Sequence, residues 1–253
     1  MTGASLQVID TVLERRTTTP SGHPVDYEIP VSAYPCASGR MLVISPGSGE
    51  LKDGRHDRWR KLALHLRDLG LCATITYNVP RPDFQVQLEW EPYSYRGASW
   101  NAILMESACH VADWALDQSQ ELCESDAPEI CLAGFSSGGS AVGAVAHRYP
   151  QAKQLLLLST YDSVGDPFYE GISLFTGDIF MGYGSQDPPA GMLAYLISVG
   201  PLSARSMVGR PVPDCDHRFS GADNSRALVK AVYWALSHDD TFPDPCGAPA
   251  LYE

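Results

Sequence analysis

Short apolar runs alternate along this chain with stretches whose apolar residues recur every three or four positions. Met41–Ile44 is an apolar run that stops at Ser45-Pro46-Gly47. Trp59, Leu62, Ala63, Leu66 and Leu69 then share one face of a helix predicted over Asp57–Leu69, with Gly70 as its stop. Leu71–Tyr77 predicts a strand, and Ser99–Leu116 a helix through Leu104, Ala108, Val111 and Ala115. Glu129–Phe135 predicts a strand and Ser137–His147 a helix of small residues. Strands follow at Gln154–Ser159, Ile179–Tyr183 and Ser206–Val212, with helices at Pro188–Ile197 and at Asn224–Leu236 through Leu228, Val232 and Ala235. Ahead of this rhythm, the first 35 residues read as two extended pieces around a turn at Pro20-Ser21-Gly22, the second being Val25–Tyr34. The proline-rich stretches Thr19–Pro24 and Phe242–Pro249 read as surface segments.

Strands alternating with helices imply a mostly parallel sheet covered on both faces, and strands buried on both sides should be continuous apolar runs, as these are. In such sheets ligands meet the chain just beyond the C-terminal ends of the strands. Chemistry is therefore sought there.

Gly134-Phe135-Ser136-Ser137-Gly138 has the form G-x-S-x-G and lies between a predicted strand and a small-residue helix. A serine in that context sits on a sharp turn that exposes its hydroxyl, and the helix N-terminus behind it favours developing negative charge. Ser136 is thus the candidate nucleophile. A hydroxyl needs a base. Of seven histidines, His65 and His110 fall within amphipathic helices, His147 near a helix end, and His23, His56 and His238 in or beside polar segments. His217 instead follows an apolar strand, in Asp214-Cys215-Asp216-His217-Arg218-Phe219, and is the candidate base. The base needs a carboxylate to fix its tautomer. Asp187, in Gly184-Ser185-Gln186-Asp187-Pro188, is preferred over Asp162 and Asp166, which come after the preceding strand; Asp216 is read as stabilising its own loop. The backbone N–H groups of Ser137 and of Ser48, in the turn Ser45-Pro46-Gly47-Ser48-Gly49, are the candidate oxyanion donors. Two connections are rich in aromatic residues: Val79–Ser99, with Trp90, Tyr93 and Tyr95, and Tyr161–Phe175, with Phe168 and Tyr169. Those five are candidate substrate contacts, against the alternative that they pack the loops down. If they line the cleft, it should favour a small to medium, neutral, partly apolar substrate.

Composition narrows the field. The formal charge is −12 and no basic cluster stands out, which argues against a nucleic-acid partner. The N-terminal residues show no cationic segment leading into an apolar core, and the longest apolar run is too short to cross a bilayer. Seven cysteines, an odd number without CxxC spacing, favour neither a disulfide scaffold nor a zinc site. Cys72 and Cys131 fall in apolar strands, where a thiol is a small buried hydrophobe. These features predict a cytoplasmic protein with no metal and no cofactor; they do not fix an oligomeric state.

Over roughly residues 25 to 238 the chain resembles the α/β-hydrolase superfamily. The resemblance rests on Pro46-Gly47-Ser48-Gly49, Gly134-Phe135-Ser136-Ser137-Gly138, Gly184-Ser185-Gln186-Asp187 and Asp216-His217-Arg218-Phe219. Ser, Asp and His come in the family's order, 51 and 30 residues apart, which leaves no room for a large lid between nucleophile and acid. That compactness is similar to the dienelactone-hydrolase-like and small carboxylesterase branches. The turn after the third strand begins Ser45-Pro46 where many relatives have histidine, and dienelactone hydrolases proper use a cysteine where this chain has Ser136. The resemblance implies one α/β domain over residues 1–253, with an eight-stranded sheet. It also implies a serine hydrolase cleaving a small-molecule carboxylic ester, thioester or lactone through an acyl-enzyme. A small-amide peptidase would use the same triad. Two other classes are a lyase or cyclase that borrows the fold and triad, and a binding protein on a retired scaffold.

Overall fold

The structure is a computed structural model that describes residues 7–80 and 93–253, the side chains of Tyr93 and Tyr95 excepted. Eight strands form one sheet in the order β1-β2-β4-β3-β5-β6-β7-β8. They are β1 (Ile9–Thr18), β2 (Pro24–Tyr34), β3 (Arg40–Ser45), β4 (Ala73–Tyr77), β5 (Glu129–Phe135), β6 (Ala152–Leu158), β7 (Asp178–Gly184) and β8 (Ser206–Val212). β1 and β2 pair antiparallel, as do β2 and β4, and every pairing from β4 to β8 is parallel. Helices are α1 (Arg58–Asp68), α2 (Tyr93–Asp117), α3 (Ser119–Cys123), α4 (Ser137–Val145), α5 (Asp166–Leu174), α6 (Pro188–Val199) and α7 (Ala222–Ser237).

The central strands are apolar throughout because alternate residues enter two different cores. Met41 and Val43, Ile130 and Leu132, Leu155 and Leu157, and Ile179 and Met181 face one layer, with α2, α4, α5 and α6. Leu42 and Ile44, Cys131 and Ala133, Leu156 and Leu158, and Phe180 face the other, with α1 and α7. Period-two alternation thus sorts one apolar run into two layers. Cys72 and Cys131 are buried free thiols, in keeping with their apolar settings.

Three readings of the sequence need correction. The helix predicted from Ser99 begins at Tyr93, so the connection after β4 is shorter than the 79–99 span. Residues 166–174, which the sequence places in a loop, form α5: Gly165 precedes it, Pro167 lies in its first turn, and Phe168 and Ile172, four apart, are its buried stripe. The Phe242–Pro249 stretch is not all surface. Phe242 is 2 % exposed and stacks on Trp234 of α7 at 4.9 Å between ring centroids, and Phe180 meets Trp234 edge-on at 4.8 Å. Proline content marks this segment as irregular and hides the ring that closes the core.

That C-terminal segment is tied down at Asp239. Lys230 Nζ donates to its Oδ2 at 2.7 Å, and the Thr241 N–H and hydroxyl donate to Oδ1 at 3.0 and 2.7 Å. These bonds, Lys230 first, hold its carboxyl down at about 2. A depressed carboxyl contributes stability above the unfolded-state value and loses it as pH falls through the folded one. Asp239→Asn should lower the thermal midpoint at pH 7, the loss of stability being at most about 1 kcal/mol for a partly exposed pair. The gap to wild type should close between about pH 4 and pH 2. A gap that is unchanged over that range would refute this account of the clasp.

Candidate active site

Parallel register delivers five chain exits to one edge of the sheet. Ser45 pairs with Gly134, Phe135 with Leu158, Leu158 with Gly182, and Gly184 with Val212. The loops after β3, β5, β6, β7 and β8 therefore meet there. Ser136 occupies the turn from β5 to α4 at φ 54°, ψ −122°, a conformation that costs a side-chain-bearing residue on the order of 1–3 kcal/mol. The flanking glycines make the turn physically passable. A Cβ on Gly134 would lie 2.5 Å from Gly138 and Gly139 backbone, and one on Gly138 would collide with the carbonyl oxygens of Ser45 and Pro46.

Ser136 Oγ lies 3.1 Å from His217 Nε2, and His217 Nδ1 lies 2.9 Å from Asp187 Oδ2. His217 comes from the loop after β8, and Asp187 immediately precedes α6 after β7. Asp187 is 3 % exposed, whereas the His217 side chain keeps 30 % of its surface open. The rival acids lie elsewhere: Asp162 accepts a hydrogen bond from the Tyr169 hydroxyl at 2.9 Å, and Asp166 sits in the first turn of α5. Asp216 binds its own loop, accepting from the N–H groups of Arg218 and Ser220 and from the Ser220 hydroxyl.

No protein-family model and no curated protein matches the sequence. Solved structures do resemble the fold. A dienelactone hydrolase from Anabaena variabilis is 14 % identical with a TM-score of 0.63, over 90 % of this chain and 98 % of that one. Est1E from Butyrivibrio proteoclasticus is 12 % identical with a TM-score of 0.58, over 91 % and 98 %. An alpha-beta serine hydrolase homologue from Coxiella burnetii is 18 % identical with a TM-score of 0.52, over 82 % and 89 %. The chain has the α/β-hydrolase fold.

In this α/β-hydrolase fold Ser136 opens onto a cleft of about 490 Å³, whose lining includes Ser48, Leu51, Arg55, Phe135 and Arg218. Ser48 and Ser137 are brought together beside Ser136, their hydroxyls 2.8 Å apart. Ser137 is the first residue of α4, so its N–H has no partner within the helix. Between Ser136 and Asp187 the chain runs through α4, β6, α5 and β7, with no inserted lid.

The expected aromatic wall is not what the described residues build. Phe168 is fully buried, with its ring packed against Gly143 of α4, and Tyr169 is exposed on α5 with its hydroxyl on Asp162. Neither lines the cleft: α5 turns one into the core and the other toward solvent. Trp90 lies outside the described residues, as do the side chains of Tyr93 and Tyr95. Among the described lining residues the apolar surface comes from Phe135 and Leu51, beside the guanidinium-bearing Arg55 and Arg218.

Two features escape a reading of the sequence. Arg58, at the start of α1, is 1 % exposed and pairs with Glu50 of the cleft wall at 2.7 Å. Its Nη1 donates to the Arg218 carbonyl at 2.9 Å and its guanidinium lies over the Phe135 ring at 4.3 Å, while Trp59 Nε1 donates to Glu50 Oε2 at 3.1 Å. An arginine opening an amphipathic helix is ordinarily solvated, and nothing in the sequence marks this one. Tyr161, just past β6, touches both His217 and Asp187. The strand-end rule that selects Asp187 also covers Tyr161, which the sequence presents only as one more aromatic residue of its connection. Among the described residues no cluster of three or more His, Cys, Asp or Glu side chains is placed to hold a metal ion, and no helix is long and apolar enough to cross a membrane.

The glycine geometry yields a direct test. Gly138→Ala must separate β3 from α4 or strain the turn, and overpacking of that kind costs about 1–3 kcal/mol. Urea unfolding should show a loss of at least that size. A stability within experimental error of wild type would mean that the β3–α4 approach is looser than described.

Proposed function

We propose that this chain is a serine hydrolase that cleaves a small carboxylic ester, thioester or lactone. The observation that carries the reading is the continuous line from Ser136 Oγ through both nitrogens of His217 to Asp187, opening on the cleft. With Nδ1–H directed at Asp187, the Nε2 lone pair faces the serine hydroxyl, which is the tautomer a general base requires. Ser136 attacks the acyl carbon and passes its proton to His217. The buried Asp187 carboxylate stabilises the imidazolium, and the N–H groups of Ser137 and Ser48 receive the oxyanion. His217 returns the proton to the leaving group, and water repeats the sequence on the acyl-enzyme to release the acid. The dienelactone hydrolase that shares the fold supports an ester-cleaving reading, and Est1E is known with ferulic acid bound. The open cleft, mixing Leu51 and Phe135 with Arg55 and Arg218, suits a short or medium acyl group with a polar end better than a long aliphatic chain.

A fluorophosphonate should label the protein on the peptide containing Ser136. Ser136→Ala should abolish both labelling and ester turnover while the fold persists. Label on Ser137, or turnover retained in the alanine variant, would overturn the assignment.

The acid is tested separately. Asp187→Asn should lower kcat by about ten-thousand-fold, by the logic of a wrongly set tautomer. Asp162→Asn should leave kcat within a few-fold of wild type, because its carboxylate serves Tyr169. The reverse ranking would move the acid to the loop after β6.

A further inference from the structure

Tyr161 reaches His217 and Asp187 together. Its hydroxyl donates to Asp187 Oδ1 at 2.6 Å, leaving Oδ2 to His217. The same Oη lies 2.9 Å from His217 Nδ1, as far as Asp187 Oδ2 does. Its ring stacks on the imidazole, 4.7 Å between centroids and 10° from parallel. With the phenolic proton directed at Asp187, the parallel stacking leaves Oη over the face of Nδ1, and the in-plane Nδ1–H goes to Asp187 Oδ2. Burial and the neighbouring Asp187 both push the phenol above its ordinary range, which keeps it a donor.

The backbone that presents Tyr161 is held on both sides. Ser159, fully buried, adopts φ 41°, and its N–H bonds the Gly182 carbonyl of β7 at 2.8 Å. Thr160, 1 % exposed, fills the space where Gly139 of α4 lacks a side chain. A left-handed, side-chain-bearing residue two positions before a site residue is strain that the surroundings must impose. Here it turns the chain so that the next free side chain meets the His217–Asp187 pair.

We infer that Tyr161 is a positioning residue of this site: it satisfies the second oxygen of Asp187 and clamps the imidazole plane. The inference rests on the serine-hydrolase reading for its consequence in catalysis, but its geometric core does not. Without the hydroxyl, Asp187 loses a charge-assisted hydrogen bond on Oδ1. That loss concentrates the carboxylate's accepting power on the remaining Nδ1–H···Oδ2 bond while freeing the carboxylate to rotate.

The test uses Tyr161→Phe, which keeps the stacked ring, with Tyr169→Phe as the control that removes the neighbouring phenol bonded to Asp162. The proton NMR resonance of the His217 Nδ1–H should move downfield in Tyr161→Phe and stay in place in Tyr169→Phe. In the same proteins kcat for a short-chain ester should fall about ten- to a hundred-fold in Tyr161→Phe, with KM held and Tyr169→Phe unaffected. An unmoved resonance overturns the inference whatever the rate does. A moved resonance with kcat intact in an active enzyme overturns the positioning role. A wild type that neither turns over esters nor accepts the fluorophosphonate refutes the hydrolase reading alone, and the resonance then decides whether Tyr161 governs the His217–Asp187 bond.

Discussion

The backbone of Gly138 passes so close to the carbonyl oxygens of Ser45 and Pro46 that no side chain fits between them. That contact sets α4 against the end of β3, and Gly134 sets it against the end of β5. With both in place, Ser136 has no room to relax out of its positive-φ turn, and its hydroxyl stands clear of the sheet. Everything else at the site is measured from that point. The loop after β3 lands beside Ser137 because β3 pairs with β5, and the loop after β6 lands on the far side because β6 pairs with β5's other edge. A looser turn would displace the serine relative to groups fixed by other strands, and reacting groups tolerate little displacement.

The parts of this arrangement that can be read from the sequence are those enforced by local rules. Glu129–Phe135 is bounded to the residue because a doubly buried strand has no polar position inside it, and Gly134, Ser136 and Gly138 announce their turn by type and spacing. Ser136, His217 and Asp187 each lie just beyond the C-terminal end of a strand, where a parallel sheet gathers its loops. The parts that stay hidden depend on which way a side chain turns within an element of known type. Phe168 and Tyr169 are adjacent aromatic residues, yet one fills the core and the other meets solvent, and only the recognition of α5 separates them. Phe242 lies in a proline-rich tail, and its burial depends on Trp234 of the preceding helix turning its ring to meet it. Tyr161 is visible as an aromatic residue at a strand end. Its hydrogen bonds depend on a strained Ser159, and a single sequence does not display backbone strain.

The site also shows a division of labour between rigid and adaptable supports. Asp187 is sealed at the root of α6 with its carboxylate oxygens bonded to His217 and Tyr161, while His217 is partly open to the cleft. An acid that is buried and fully bonded holds one orientation, and an imidazole that is open on one side can exchange protons with what enters. Asp216, next to His217 in the chain, spends its carboxylate on its own turn and so fixes the backbone from which the imidazole projects.

The Arg58–Glu50 pair has an electrostatic consequence. A chain with 30 acidic side chains against 18 basic ones sits in its own negative potential, and any reaction at Ser136 that builds negative charge on oxygen works against that field. Glu50 stands in the cleft wall, where a bare carboxylate would add to that repulsion. Arg58 is buried against it and Trp59 donates to its other oxygen, so the charge is cancelled at its source and not by mobile counterions. Because that neutralisation is built into the fold, it does not vary with the salt outside as screening of exposed charges does. Glu50 therefore adds little net charge to the field that a reaction at Ser136 would meet.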